Sequence, residues 1–253
     1  WKALTHLEIA VNEMEGQFPT EIGALKKLKK LYLQNNKFVG AFPSEIGHLG
    51  KLDTLIAGMN RFTGMPDELG NLYKLEMLGL EDNVIAGTIP TQLGWLEKLR
   101  SLELNNNKLT GPIPAELGDL YSTLRDRMDL SFNRLSGKIP TELAYLTRLR
   151  VLSLQHNYLT GQIPSELHEL DRLTTFRLEG NDMSGEIPAE VCEVFDRTAP
   201  AFYSDCGEFQ GGCPCCTFCC SDDDPECRCV HDGTPLQYLC YQTRTVVVPD
   251  GLV

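Results

Sequence analysis

The sequence predicts an α/β solenoid, in which one short unit is repeated eight times along a coil that ends in a cysteine-rich segment. Three observations lead to this fold class. One asparagine recurs every 23 to 26 residues, a leucine pattern surrounds each copy, and all ten cysteines follow residue 191. Self-similarity at such a period is the sequence signature of repeat proteins. The recurring residues are Asn12, Asn36, Asn60, Asn83, Asn107, Asn133, Asn157 and Asn181.

Each repeat begins with the pattern Leu-x-x-Leu-x-Leu-x-x-Asn, which the seventh repeat shows with Leu149, Leu152, Leu154 and Asn157. The alternation of the last two leucines places both on one side of a short strand. Successive strands are expected to stack as a parallel sheet about 4.8 Å apart. The asparagine lies where the chain leaves the strand, and its amide offers a donor and an acceptor to unpaired backbone groups. Eight such residues in register predict a buried polar ladder.

The second half of each repeat reads Leu-x-Gly-x-Ile-Pro-x-x-Leu-Gly-x-Leu, and the seventh repeat follows it from Leu159 to Leu170 with one change. Glycine permits unusual dihedrals or close backbone approach, and proline ends strand pairing. The stretch after the proline is short and helix-like, so a 3₁₀ or α turn is expected over the outer side of the coil. One repeat cannot bury its own apolar side, and the stacking of neighbours makes the core.

Two repeats depart from the rule. The third repeat is one residue short at Gly64-Met65-Pro66, where we expect the apolar residue before the proline to be lost. Two extra residues lie between Asn107 and Asn133, around Tyr121 to Leu124. Because loops tolerate changes of length, we interpret both as drift that perturbs only the outer face.

The Leu-x-Gly-x-Ile-Pro segment resembles the plant-type leucine-rich repeat, as in Gly87–Pro90, Gly111–Pro114 and Gly185–Pro188. The resemblance implies a right-handed leucine-rich-repeat solenoid, with short parallel strands on the concave face and 3₁₀ or short helices on the convex face. It also implies an extracellular protein, because these repeats occur in receptor-kinase ectodomains, receptor-like proteins and polygalacturonase-inhibiting proteins. Those proteins bind peptides, proteins or glycans on the concave face.

Residues that flank the strand leucines are expected to face solvent on the concave side. Ile56, Met59 and Met77 are predicted to form an apolar spot on the third and fourth repeats. Beside it lies an acidic strip, which consists of Glu81, Asp82, Glu103 and Asp129. An exposed apolar spot rimmed with charge is typical of an interaction site, although scattered apolar surface residues need no such explanation. The candidate ligand-binding residues of this face are Tyr32, Ile56, Met59, Met77, Glu81, Asp82, Glu103, Asp129, Phe132, His156 and Arg177.

Charge limits the choice of partners. The formal net charge is −12, which repels phosphate backbones, so nucleic acid is not an expected partner. The run of Lys26, Lys27, Lys29 and Lys30 is interpreted as a solvated edge rather than a site. No apolar run reaches the length of a membrane span. The chain opens at Trp1 inside a repeat without a visible signal peptide, so further residues are expected upstream in the natural protein.

The composition changes sharply at Cys192, which divides a solenoid domain, residues 1–191, from a cysteine-rich C-terminal cap, residues 192–253. An even number of cysteines in about 50 residues suggests a disulfide framework. Zinc is the alternative, because Cys216-x-x-Cys219 and Cys227-x-Cys229 have chelating spacings, yet adjacent cysteines suit interlocked disulfides better. The pairing is not readable from the sequence. The cysteines are Cys192, Cys206, Cys213, Cys215, Cys216, Cys219, Cys220, Cys227, Cys229 and Cys240.

The stretch from Cys213 to Cys220 resembles the C-terminal cap of leucine-rich-repeat proteins of diatoms and related algae. It differs from the shorter paired-cysteine cap of land-plant receptors. That difference weakens a transfer of hormone-receptor or polygalacturonase-inhibitor function to this chain.

The sequence predicts a protein that binds rather than catalyses. It has no Gly-x-Ser-x-Gly, His-Glu-x-x-His, phosphate loop or dinucleotide fingerprint, and no metal or cofactor is expected. We therefore predict a secreted or surface-anchored recognition module for a protein, a peptide or a glycan, within a larger extracellular complex. The alternative is a structural or adhesive component of a filament, wall or surface coat.

Overall fold

A computed structural model describes residues 2–198, 201–205, 218–220, 229–231 and 234–236, with side chains described for 2–195 and 201–204. Strands of three to five residues stack in chain order into one parallel sheet, which forms the concave face of the coil. Its strands are His6–Glu8, Lys30–Tyr32, Thr54–Ile56, Met77–Gly79, Ser101–Glu103, Arg127–Asp129, Val151–Ser153, Thr175–Arg177, Ala201–Asp205 and Phe218–Cys220.

A second set of strands follows the asparagine of each repeat, and a short 3₁₀ helix comes after each proline. The second strands, which pair in parallel within two groups, are Glu15–Gln17, Lys37–Ala41 and Arg61–Gly64, then Ala86–Gly87, Lys108–Gly111, Arg134–Gly137, Tyr158–Gly161 and Asp182–Met183. The 3₁₀ helices of the outer side are Thr20–Ala24, Ser44–His48, Asp67–Asn71, Thr91–Trp95, Ala115–Ser122, Thr141–Tyr145 and Ser165–Glu169.

The core is a continuous column of leucines inside the coil. Leu31, Leu55 and Leu78 are buried and pair directly across neighbouring strands. Residues on either side of each leucine face outward because side chains alternate along a strand. The column thus fixes which residues reach the concave surface, and at what spacing.

The asparagine of each turn bonds backbone groups of its own and neighbouring repeats. The Asn107 amide donates to the carbonyl oxygens of Leu80 at 2.9 Å and Leu104 at 3.1 Å, and its carbonyl oxygen accepts from the backbone N–H of Ile85 at 2.9 Å. The asparagines from Asn36 to Asn181 are buried, whereas Asn12 in the first repeat is exposed. Each buried amide therefore fastens one coil to the next.

The short third repeat does not lose its apolar residue, which corrects the expectation from sequence. Met65 packs against the core directly after Gly64, so the residue that is missing is the polar spacer between the two. The strand pairing shifts by one residue at Gly40–Ala41, and the backbone N–H of Phe42 then bonds the Gly64 carbonyl at 3.1 Å. The stacked rings of Phe42 and Phe62, 4.0 Å apart, fill the core at this point.

The two extra residues at the end of the fifth repeat extend the outer helix Ala115–Ser122 to eight residues, against five in the other 3₁₀ helices described. The N–H groups of Thr123 and Leu124 both bond the Leu120 carbonyl, which closes the longer turn. The next strand still pairs in register with its neighbours, Arg127 with Ser101 and with Val151. The insertion therefore stays on the outer face, as expected.

An α-helix, Ala189–Thr198, replaces the 3₁₀ helix at the end of the last repeat and packs against Ser165–Glu169. Phe176, Phe195 and Phe202 form an aromatic cluster beneath it, with the rings of Phe176 and Phe202 stacked 5.1 Å apart. Cys192, on this helix, is disulfide-bonded. A hairpin of Cys229–His231 and Thr234–Leu236 follows, and the side chains of the other nine cysteines lie outside the described residues.

Candidate functional site

The concave face carries four rows of side chains, each with one residue per repeat. In the row between the strand leucines, Tyr32, Ile56, Gly79, Glu103 and Asp129 are successive partners in the sheet. Adjacent members of a row are thus about 4.8 Å apart. Residues that are far apart in sequence become immediate neighbours on this surface.

The apolar residues predicted from the sequence do come together in the third and fourth repeats. Thr54 pairs with Met77, and Ile56 pairs with Gly79. Met59 is 55% exposed and Met77 is 42% exposed, while Ile56 is half-buried. Because Gly79 has no side chain, the surface dips between these residues.

The Glu81 carboxylate lies at this dip. A Cβ atom built on Gly58 would overlap the Glu81 carboxylate, and one built on Gly79 would come within 3.0 Å of Glu81 Oε2. The side chain thus lies flat over two glycines of neighbouring repeats, where it is largely shielded from water. Its Oε2 atom is buried and has no hydrogen-bond partner among the described residues.

Burial raises the pKa of the Glu81 carboxyl above its ordinary value of 4.5, and the nearby carboxylates of Glu103, Asp82 and Asp129 raise it further. A hydrogen bond from its own backbone partly opposes these effects. Desolvation and like charge both disfavour the ionised form. A cation bound here would stabilise the ionised carboxylate and so offset both effects.

The other three acidic residues already have partners. Glu103 Oε1 accepts from the Ser101 hydroxyl at 3.0 Å, and Asp82 accepts from the side-chain amide of Asn106. Asp129 is buried; it accepts from the Ser131 hydroxyl at 2.6 Å and forms an ion pair with Arg127. Of these four carboxylates, only Glu81 has a buried oxygen, Oε2, without a hydrogen-bond partner among the described residues.

A feature that the sequence analysis missed is the backbone conformation of the residues directly before the repeat asparagines, here called the left-handed row. Its non-glycine residues have φ between 53° and 58° and Gly180 has φ 70°, in the left-handed region that L side chains rarely adopt. Asn, Asp and Gly tolerate this region, and the row contains several of them, which is a signal that the sequence did offer. The residues are Val11, Asn35, Met59, Asp82, Asn106, Phe132 and His156, with Gly180 in the last repeat.

The left-handed row presents its side chains to solvent. Val11 is 70% exposed and Phe132 is 49% exposed. The rings of Phe132 and His156 stack 4.4 Å apart at an angle of 27°. These residues form an exposed rim along the end of the strands.

Tyr32 and Arg177 occupy opposite ends of the face. Tyr32 is half-buried in the second repeat. Arg177 forms an ion pair with the buried Glu179 and lies over the ring of Tyr203, 4.7 Å from its centroid. Arg177 is thus held by the protein and does not join the cluster around Glu81.

The surface shows no metal-binding or membrane-spanning feature within the described part of the chain. No group of three or more His, Cys, Asp or Glu side chains there has an arrangement able to hold a metal ion. None of the helices described is both long enough and apolar enough to cross a membrane.

Parallel strands stacked in one sheet, inward leucines and an asparagine at each turn define a leucine-rich-repeat solenoid. The family model for a leucine-rich repeat region matches residues 2–130, and that for the leucine-rich repeat matches 126–146 and 148–170. The chain belongs to the leucine-rich-repeat family and its repeats are of the plant type, which confirms the predicted solenoid fold and the predicted resemblance to plant-type leucine-rich repeats. No curated protein sequence matches it significantly.

Several solved structures are similar. The ectodomain of the receptor kinase GASSHO1/SCHENGEN3 from Arabidopsis thaliana, in complex with CASPARIAN STRIP INTEGRITY FACTOR 2, is 38% identical with a TM-score of 0.73, over 81% of this chain and 24% of that one. The Arabidopsis receptor kinase HAESA, in complex with the peptide hormone IDA and the co-receptor SERK1, is 33% identical with a TM-score of 0.74, over 83% and 34%.

A plant ice-binding protein is 27% identical with a TM-score of 0.51, over 86% of this chain and 84% of that one. The chain spans between 24% and 48% of the length of the receptor structures compared here. The receptor resemblance therefore covers one section of those longer proteins.

Proposed function

We propose that this chain is a non-catalytic recognition module of an extracellular protein, and that its concave face binds an extended peptide segment carrying a basic side chain. The similar receptor structures that were solved with peptide ligands support a role in protein interaction. The matched family models are both repeat models, and neither is a catalytic family.

The unpartnered Oε2 atom of Glu81 is the observation that carries this proposal. A buried acceptor without a donor costs free energy, and a charged donor is the partner that restores it best. A lysine or arginine side chain from a ligand meets that need and also offsets the repulsion from Glu103 and Asp82. Recognition of a basic group at this point follows from the electrostatics of the strip.

The apolar residues beside Glu81 select what flanks the basic group. Met59 and Met77 are exposed, flexible and polarizable, and Ile56 borders the dip over Gly79. A ligand with an aliphatic residue next to its basic residue would cover this spot while its cation reaches Glu81. An extended backbone suits the row spacing, because strand residues repeat at about 3.3 Å and the rows at about 4.8 Å.

The test is a selection from a displayed library of random peptides on the whole protein. We expect the enriched peptides to share a lysine or arginine beside an aliphatic residue. The affinity of one such peptide should fall at least tenfold for Glu81→Gln and remain unchanged for Glu116→Gln. Glu116 is exposed on the convex helix, so its substitution makes the same change of charge away from the concave face.

Two results would contradict the proposal: enriched peptides without a basic residue, or equal binding to the two variants. Asp129 is left unchanged in this test because its bonds to Ser131 and Arg127 are part of the fold. Loss of binding on its removal would not distinguish a ligand contact from local unfolding.

We also propose that residues 192–253 close the end of the solenoid as a disulfide-linked cap. The disulfide at Cys192 and the apolar cluster of Phe176, Phe195 and Phe202 support this, since an uncovered last coil would expose its core to water. Disulfides also agree with an extracellular location. The measurement is a count of free thiols in the native protein with and without reductant; ten free thiols without reductant would exclude the framework.

A further inference from the structure

A second charged surface lies on the edge where the chain enters the concave strands, away from Glu81. The residue just before the leucine that precedes each strand is basic in six of the seven repeats from the second to the eighth. These residues, here called the basic stripe, are Lys27, Lys51, Lys74, Lys98, Arg148 and Arg172. The exception is Thr123, before the first leucine of the sixth repeat, at the site of the two extra residues. All six side chains are exposed.

The backbone fixes these residues in register. Just after the leucine, the N–H of Asp53 bonds the Lys29 carbonyl at 2.8 Å, the N–H of Glu76 bonds the Asp53 carbonyl at 2.8 Å, and the N–H of Arg100 bonds the Glu76 carbonyl at 2.8 Å. The same ladder continues past the longer turn of the fifth repeat to Arg150 and Thr174. The stripe is thus a series of charges about 4.8 Å apart, interrupted at Thr123, and on the order of 30 Å long.

Two shallow depressions run along this edge, and basic residues dominate both. One lies between Lys29 and Lys98 and the other between Arg100 and Arg172. Together their walls have nine basic and three acidic side chains, a formal excess of six positive charges in a chain whose net charge is −12. Such separation of charge is not explained by solubility, which the acidic excess of the whole chain already provides.

Most of these basic groups have no internal acid partner. Among the ion pairs of the described residues, only Arg100 of the nine takes part, with Glu76 at 3.4 Å and Asp126 at 3.1 Å. The remaining cations therefore keep their charge available to a ligand. The lysine run near residue 28 is interpreted from the sequence as a solvated edge, but one of its members, Lys27, is the first residue of a row that is basic in most later repeats.

Aromatic rings accompany the charges. Tyr73, directly before Lys74, is 55% exposed, and its hydroxyl would lie 3.1 Å from a Cβ atom on Gly50, directly before Lys51. Trp95 is 58% exposed and Tyr145 is 62% exposed, each near the start of the turn that leads to a stripe residue. Such amphipathic rings supply flat apolar area beside polar groups at low entropic cost.

We propose that the basic stripe binds a linear acidic polysaccharide, a chain of sugar rings that bears carboxylate or sulfate groups at regular intervals. The regularly spaced basic side chains of the stripe would pair with the regularly spaced anionic groups of such a chain. The exposed aromatic rings offer apolar faces on which sugar rings can pack. Nucleic acid and anionic lipid are the alternatives that the test below distinguishes. This inference does not depend on the proposed peptide site, because the two surfaces share no residue.

The test measures binding of the whole chain to dextran sulfate, carboxymethyl-dextran and uncharged dextran at 0.15 M salt. The two charged polymers distinguish sulfate from carboxylate on one backbone. We expect binding to at least one charged polymer and none to uncharged dextran. The triple substitution Lys51→Gln, Lys74→Gln and Lys98→Gln should weaken binding about tenfold or more and reduce the salt dependence, since fewer counterions are released.

The matched control is Lys108→Gln, Arg134→Gln and Lys138→Gln, which removes three exposed basic residues from the second strands and the turn after them. Equal weakening in both triple variants would overturn the proposal, because attraction would then follow net charge alone. Tighter binding to a single-stranded oligonucleotide or to anionic lipid vesicles would also overturn it. Glu81→Gln should leave polymer binding intact, so failure here is distinguishable from failure of the peptide proposal.

Discussion

Some residues of the concave face have a side-chain environment or a backbone conformation that destabilises the folded protein. Glu81 is shielded from water among other carboxylates, and Val11 keeps a β-branched side chain at a φ of 54°. Such conformations persist only where the surrounding structure holds them, and they are frequent at binding surfaces. In this protein they lie in the rows that face outward, so the cost does not arise from packing of the core.

Replacing Glu81 by glutamine tests the electrostatic part of that cost. The folded-state pKa of Glu81 is raised above 4.5, so between 4.5 and the raised value the folded protein binds more protons than the unfolded chain. Wild-type stability therefore falls as the pH increases through this window. We expect Glu81→Gln to be more stable than wild type at pH 7 and close to it below pH 4.5, as measured by urea unfolding.

The matched control is again Glu116→Gln on the convex helix. If both variants show the same stability difference from wild type at each pH, the burial of Glu81 does not produce the effect. A Glu81→Gln variant that is less stable at pH 7 would likewise contradict the assignment of Glu81 as a destabilising, unpaired carboxylate.

At the scale of elements, the asparagine turns join each coil to the next. Every buried asparagine described satisfies backbone groups of its own repeat and of the repeat before it, as Asn133 does through Leu130, Leu104 and the N–H of Leu109. Buried backbone groups that lose their partner cost about 1–3 kcal/mol each. The strands of the concave sheet have only three to five residues, so the side-chain bonds of the asparagines contribute much of the hydrogen bonding that fixes each turn.

Asn107→Ala and Asn12→Ala form a matched pair for this element. Asn107 is buried and bonds three carbonyls and one N–H, whereas Asn12 is exposed and bonds only the Ile9 and Ala10 carbonyls. We expect Asn107→Ala to lower the free energy of unfolding by about 2–4 kcal/mol and Asn12→Ala by about 1 kcal/mol or less. Equal losses in denaturant unfolding would mean that burial of the amide is not what makes it stabilising.

The strand and the asparagine turn of each repeat could be predicted from the sequence, because the spacing of Leu and Asn determines which residues face the core and where the chain turns. The Glu81 environment could not, because it depends on a side chain that crosses to Gly58 in another repeat and on the absence of a side chain at Gly79. The third repeat was also misjudged: a one-residue deletion does not say which residue is missing, and the packing of Met65 decides it. The left-handed row was readable in part from Asn35, Asp82, Asn106 and Gly180.

The whole molecule is held together by contacts between neighbouring repeats. Each strand of the concave sheet pairs with the strands before and after it, and the core column links them without a central nucleus. Stability in such an architecture is close to a sum of repeat and interface contributions. A local defect is therefore expected to spread along the coil from one neighbour to the next.

Leu104→Ala tests this behaviour in the middle of the coil. Leu104 is completely buried, so its truncation should cost about 2–5 kcal/mol. Hydrogen exchange should show the greatest loss of protection in the fourth to sixth repeats and a smaller loss in the second and eighth. A uniform loss over all described repeats would indicate that the solenoid unfolds as one unit instead.

The longer outer helix of the fifth repeat, Ala115–Ser122, affects how the sequence of this protein can vary. Two residues were accommodated there while Arg127 kept its pairing with Ser101 and Val151. Variation in length on the outside is thus separated from the alignment of side chains on the inside. Descendants of this sequence can gain or lose loop residues on one face while the opposite face keeps its chemistry, so the two surfaces are free to adapt at different rates.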